Sequence, residues 1–160
     1  EQGRPDLRTL LAGRRERLFH VGRLDTDTDG LLIVTNDGEF AHRLAHPSFE
    51  LPKTYVAEVE GAVGARVLRD LRSGVTLDDG PVSADEIKLM SSNNGRSLVE
   101  LVIHEGRNRI VRRLLDHVGH PVTQLTRTAI GPVTLGRLGV GEMRDLSNDE
   151  LGALLDAASL

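Results

Sequence analysis

The sequence predicts an α+β domain built on a mainly antiparallel sheet, and three observations carry that prediction. Strand-like runs outnumber helical ones, most are joined by hairpin-type turns, and helices do not alternate regularly with strands as parallel crossovers require. At 160 residues the chain can bury one core of ordinary size, or two small subdomains sharing one.

Residues 19–24, "FHVGRL", are strand-like, and residues 31–35, "LLIVT", form an apolar, β-branched run closed by the turn signal "NDG", the pattern of a buried strand. A short helix follows over 38–47, ended by Pro47. Residues 53–61 alternate Tyr55, Ala57 and Val59 against Val56, Glu58 and Glu60, which is strand periodicity. The next helix spans 63–72, with Val63, Val67, Leu68 and Leu71 on one face and Gly74 as a stop. Two strands, 82–90 and 97–104, flank a hairpin turn at Asn93, Asn94 and Gly95. Residues 110–118 are helical: Ile110, Val111, Leu114, Leu115 and Val118 fall within an arc of about 140°, Arg109, Arg113 and Asp116 lie opposite, and Arg112 sits at the border. Gly119 can cap that helix. A strand pair around 122–135 precedes a last helix, opened by the capping-box spacing of Ser147 and Glu150 and carried through Leu151, Leu154 and Leu155.

Hydrophobic content of 39% and charged content of 28% are those of a soluble globular protein, and no apolar run approaches the roughly 20 residues that span a bilayer. The absence of cysteine excludes disulfides, zinc-thiolate sites and a cysteine nucleophile, and suits a cytoplasmic location. Nothing resembles a signal peptide, although the chain starts at Glu1 rather than methionine, as a fragment or processed product does. The net charge is −4, yet 18 of the 20 cations are arginine and they cluster. Residues 1–23 carry six arginines against three acids, and residues 104–113 carry Arg107, Arg109, Arg112 and Arg113 against Glu105. Two such patches on an acidic protein can hold a polyanion in one cleft, since arginine forks match phosphate geometry; two solvated, salt-bridged faces explain the count equally well.

"DTDTDG", residues 25–30, has the opening spacing of a calcium-binding EF-hand loop. Three features argue against calcium: Asn36 stands where the bidentate glutamate belongs, a strand rather than a helix follows, and the preceding segment is cationic without a clear amphipathic pattern. Asp27 and Asp29 suit a water-solvated polar loop. Asp25, two residues from Arg23 and at the boundary of two strands, is where a carboxylate can be held rigidly. His42, His46, His117 and His120 complete no metal set, and we expect them to be structural or exposed. Taken alone, Tyr55 fits strand packing and Arg112 a helical salt bridge to Asp116.

"GRLDTDTDGLLIVTNDG", residues 22–38, resembles the signature loop of ribosomal RNA pseudouridine synthases of the Rsu type. "PKTY" at 52–55 resembles the second motif of that family, "EGRNRIVRRLLDHVGHPV" at 105–122 its arginine-rich third, and "GRP" at 3–5 the segment ahead of the signature. The match covers nearly the whole chain in the right order.

The resemblance implies a pseudouridine-synthase-like, mainly antiparallel sheet with flanking helices and a central RNA-binding cleft, in one catalytic domain over residues 1–160. It also implies that the S4-type RNA-binding domain and "KPxG" strand that precede this region in most relatives are absent, as in a domain cut from a longer protein. The implied reaction isomerises a uridine of ribosomal RNA, more in keeping with the large-subunit branch, by breaking the N1–C1′ bond, rotating the uracil and rejoining it through C5. It needs no cofactor and no metal. Asp25 matches the essential aspartate, Arg112 the arginine that pairs with it, and Tyr55 the tyrosine that stacks on the flipped base. Val111 matches an aliphatic position lining the base pocket, and Arg23 an arginine that contacts phosphate. Arg107, Arg109 and Lys53 are further candidates for phosphate, while Gly106 and Asn108 fit turn-forming positions. The implied partner is ribosomal RNA or a ribosomal assembly intermediate, and the implied state a monomer. A non-catalytic RNA-binding module using the same arginines is the competing expectation, though four aromatics make a poor stacking platform.

Overall fold

The computed structural model describes residues 18–46 and 49–158. Pro47, with its expected role as a helix stop, the "GRP" segment at 3–5 and five of the six arginines of the patch over 1–23 lie outside the described residues. In order, the elements are β1 (Phe19–Val21), β2 (Asp29–Gly30), β3 (Ile33–Thr35), α1 (Gly38–Ala45), β4 (Lys53–Glu60), α2 (Ala65–Ser73), β5 (Val75–Leu77), β6 (Gly80–Val82), β7 (Glu86–Asn93), β8 (Arg96–Ile103), α3 (Ile110–His117), β9 (Val122–Ile130), β10 (Val133–Thr134) and α4 (Asn148–Ala157).

The main sheet runs β10-β9-β4-β8-β7, antiparallel throughout, with β2 added parallel to β9; β1–β3 and β5–β6 form separate antiparallel pairs. Its register follows from side-chain alternation. Tyr55 and Ala57 on β4 stand opposite Leu101 and Val99 on β8, which puts them all on one face. That face is closed by Leu71 of α2 and by Ile110, Val111, Leu114 and Leu115 of α3, the stripe the helical arc predicts. A second core gathers Val21, Leu31, Ile33, Ala41, Leu44, Leu51, Ile130, Val133 and Leu154 under α1 and α4. The β7–β8 hairpin turns on Asn94 (φ 53) and Gly95 (φ 75), the two consecutive positive φ angles of a type I′ turn. Ser147 and Glu150 make both bonds of the capping box.

Several expectations are corrected. The strand expected over 82–90 is divided between β6 and β7, because the intervening backbone bonds elsewhere: the Ala84 N–H donates to the Leu71 carbonyl (2.8 Å) and the Asp85 N–H to Val102 (2.8 Å). Val63 is buried but precedes its helix, its N–H bonded to Ser97 Oγ at 3.0 Å. In α4 only Leu154 is deeply buried; Leu151 is 41% exposed.

Candidate active site

After β1, Gly22 takes φ +72 and the chain enters a loop that ends at β2. The Thr28 N–H donates to the Asp25 carbonyl at 2.9 Å, closing a turn whose buried member is Thr28. The carboxylates of Asp25 and Asp27 therefore face outward, 41% and 46% exposed. Beyond the turn the loop is tied to β9: Gly30 pairs with Arg127, and the Leu31 N–H donates to the Arg127 carbonyl at 2.9 Å. Only glycine fits at position 30, where φ is +119 and a Cβ would stand 2.2 Å from that same carbonyl oxygen.

Opposite this loop stands the segment leading into α3. Arg109 holds a left-handed backbone (φ 51, ψ 33), a conformation that costs a non-glycine residue about 1–2 kcal/mol. Its guanidinium crosses to the loop, meeting Asp27 Oδ1 at 3.0 Å and Oδ2 at 2.8 Å, with Asp25 Oδ2 3.9 Å away. Arg112 donates Nη2 to the Asp27 carbonyl and sets Nε 3.4 Å from Asp27 Oδ2. The Arg109 hydrogen bond, reinforced by the charges of Arg112 and Arg109 against some desolvation, holds the Asp27 carboxyl below its ordinary value of 3.8. Asp27 is thus one half of a forked ion pair rather than the solvated loop residue expected from sequence. The arginine expected to pair with Asp25, Arg112, engages Asp27 instead, and Arg109 is the one within ion-pair distance of Asp25. A groove lined by Arg109, Arg112, Arg113, Asp116, Pro121 and Val122 adjoins these pairs.

The remaining candidates divide between the sheet face and a neighbouring hairpin. Tyr55 is half-buried, directly across from Arg127 on β9, and packs against the apolar cluster that includes Val111. Val111 is 3% exposed, so its side chain lies within that core. Lys53 is on the same face of β4 and donates Nζ to the Leu51 carbonyl at 3.3 Å; burial, and secondarily the charge of Arg127, push its pKa below 10.5. Arg23 is exposed. Arg107 is drawn to the β5–β6 turn, where it meets Asp79 Oδ1 at 3.0 Å, the Pro81 carbonyl at 2.7 Å and Glu105 at 3.0 Å. Arg113 forks onto the same Asp79 with two contacts of 2.9 Å.

Sequence reasoning missed Arg127, which is 3% exposed. Its signal is positional, since Arg127 follows Leu125 at the two-residue spacing of the buried face of β9, with Thr126 and Thr128 in the alternate phase, and a lone arginine in such an alternation marks a buried charge. Among the described residues no three His, Asp or Glu side chains converge as a metal site. His120 donates Nδ1–H to the Glu60 carbonyl (2.7 Å), a structural contact, and His42 and His46 meet edge to face.

A profile of the RNA pseudouridylate synthase family matches residues 2–117. The chain is 50% identical over 163 aligned residues to an uncharacterized RNA pseudouridine synthase of Mycobacterium tuberculosis, covering 100% of this chain and 64% of the relative. It is 40% identical over 156 residues to ribosomal large subunit pseudouridine synthase B of Bacillus subtilis, covering 96% of this chain and 64% of that protein. The crystal structure of a pseudouridylate synthase superposes with a TM-score of 0.75 at 34% identity, over 86% of this chain and 59% of that one. The chain therefore spans 64% of the length of these curated relatives.

Proposed function

Because the chain belongs to the RNA pseudouridylate synthase family, we propose that it carries the catalytic centre for converting a uridine of ribosomal RNA to pseudouridine, with Asp25 as the essential carboxylate. The observation that carries this reading is the rigid presentation of Asp25: a turn tied on one side to β9 and bridged on the other by Arg109 holds an outward carboxylate beside a cationic groove. Positioned carboxylates of this kind serve as nucleophile or base, whichever step of the N1–C1′ cleavage is assigned to them. Tyr55, across β9 from this loop, supplies the π surface for a base taken out of its stack. Arg23, Arg109 and Arg112 supply positive charge for backbone phosphate, and the large-subunit assignment draws on relatives named ribosomal large subunit pseudouridine synthase B. A cytoplasmic, monomeric protein acting on RNA or on an assembly intermediate belongs to the same proposal.

The test is release of tritium from ribosomal RNA labelled at uridine C5, since C5 exchanges its hydrogen for C1′ in the product. Wild-type protein should release tritium and Asp25→Asn should not, while both retain RNA. RNA binding without release by the wild type on naked RNA and on ribosomal precursors would overturn the enzyme reading in favour of a binding module.

A further inference from the structure

We propose that Arg127 is a positioning residue that clamps both ends of the loop presenting Asp25. Its guanidinium donates Nε and Nη2 to the Leu31 carbonyl (3.0 and 2.7 Å) and Nη1 to the Arg23 carbonyl (3.4 Å). Its own backbone carbonyl receives the Leu31 N–H (2.9 Å). One residue of β9 therefore holds the chain two residues before Asp25 and six residues after it.

Packing alone does not call for an arginine there. Position 127 is 3% exposed, between Leu125 of one core and Ile130 of the other, and an aliphatic side chain would fill that seam without desolvating a charge. Among the described residues the guanidinium meets no carboxylate, and the nearby ammonium of Lys53 adds repulsion. What only arginine offers is a planar fork able to reach two carbonyls in different directions while staying charged. A lysine carries its three donors on a single nitrogen and cannot reproduce that fork. Such a clamp matters where a carboxylate must be held to a fraction of an ångström, because a misplacement of about 1 Å can cost on the order of 100-fold in rate. The catalytic consequence rests on the isomerase reading above; the clamp itself does not.

Arg127→Lys and Arg127→Met are compared with the wild-type protein by hydrogen exchange of peptides covering residues 22–32, by RNA binding, and by single-turnover tritium release. Arg127→Met keeps the experiment decisive should a buried lysine prevent folding. Exchange across 22–32 should accelerate at least about tenfold with β4 and β8 unchanged, and the single-turnover rate should fall about 100-fold with RNA affinity held within about threefold. The inference is overturned by a loop that exchanges as in the wild type, by acceleration spread evenly over the chain, or by a loosened loop that still turns over at the wild-type rate. A wild-type protein that releases no tritium defeats the isomerase reading and with it the catalytic consequence, while loop exchange still decides the clamp.

Discussion

Gly30→Ala is the sharpest probe of how the aspartate loop is anchored. The new Cβ would stand 2.2 Å from the Arg127 carbonyl oxygen, 2.6 Å from its nitrogen and 2.9 Å from its carbonyl carbon, all of them backbone atoms of β9 that cannot swing aside. At φ +119 an alanine is also strained by about 1–3 kcal/mol before any clash. The crowded oxygen is the acceptor of the Leu31 N–H, so relief of the clash breaks a bond whose loss leaves buried groups unpaired, costing about 1–3 kcal/mol. The two contributions together predict a loss of about 2–6 kcal/mol. With a urea m-value of about 2 kcal/mol/M, the unfolding midpoint drops by about 1–3 M. Gly95→Ala is the control: φ there is +75 with nothing within 4 Å, so only the left-handed strain of about 1–2 kcal/mol applies. Equilibrium urea unfolding of the two variants measures the difference. A Gly30→Ala midpoint no lower than that of Gly95→Ala would refute the close approach of the loop to β9.

His104 donates Nδ1–H to the Asp85 carboxylate at 2.9 Å, and this hydrogen bond, with the charges of Asp85, Glu50 and Glu105, raises its pKa above 6.5. A raised folded-state value makes the contribution full below 6.5 and lost as pH rises through the elevated value. The melting-temperature deficit of His104→Gln should therefore be largest in acid and disappear on the alkaline side; a deficit independent of pH rejects the pairing. Asp79 occupies both Arg107 and Arg113. Asp79→Asn should strengthen RNA binding and steepen the salt dependence of log K by about 0.7–0.9 per arginine that turns to phosphate, measured by salt titration of RNA affinity; an unchanged slope means neither arginine reaches the RNA. Ser147→Ala removes the N-cap of α4 and should cost about 1 kcal/mol in urea unfolding. Glu150, held down to about 2 first by Arg144, should keep its contribution above 4.5 and lose it only as pH falls toward about 2, which a pH series of melts of Glu150→Gln against wild type will show.

Local chemistry made most of the fold legible. The Asn94–Gly95 turn, the period-two alternation of β4 and β8, the stripe of α3 and the Ser147–Glu150 box are each determined within a few residues, and each formed as expected. The division between β6 and β7 was not legible, because it depends on Ala84 bonding to α2 and Asp85 to β8, partners distant in sequence. The two-residue β2 escaped for the same reason, its strand partner among the described residues lying nearly 100 residues on.

For the site, the order of motifs along the chain was enough to identify the family and to single out the loop that carries Asp25. Its charge pairing was decided elsewhere. A linear sequence states that Arg109 and Arg112 are near each other on one segment, but not which of them faces which aspartate; that follows from the left-handed turn at Arg109 and the angle at which α3 meets the loop. Arg107 is diverted to Asp79 by the placement of the β5–β6 hairpin, and Arg127 acquires its role only because β9 runs between two cores and beneath the loop. Helix stripes, turns and caps depend on neighbours in the chain and are written in the sequence itself. Which buried or half-buried charge finds which partner depends on distances between elements, and those exist only once the sheet has formed.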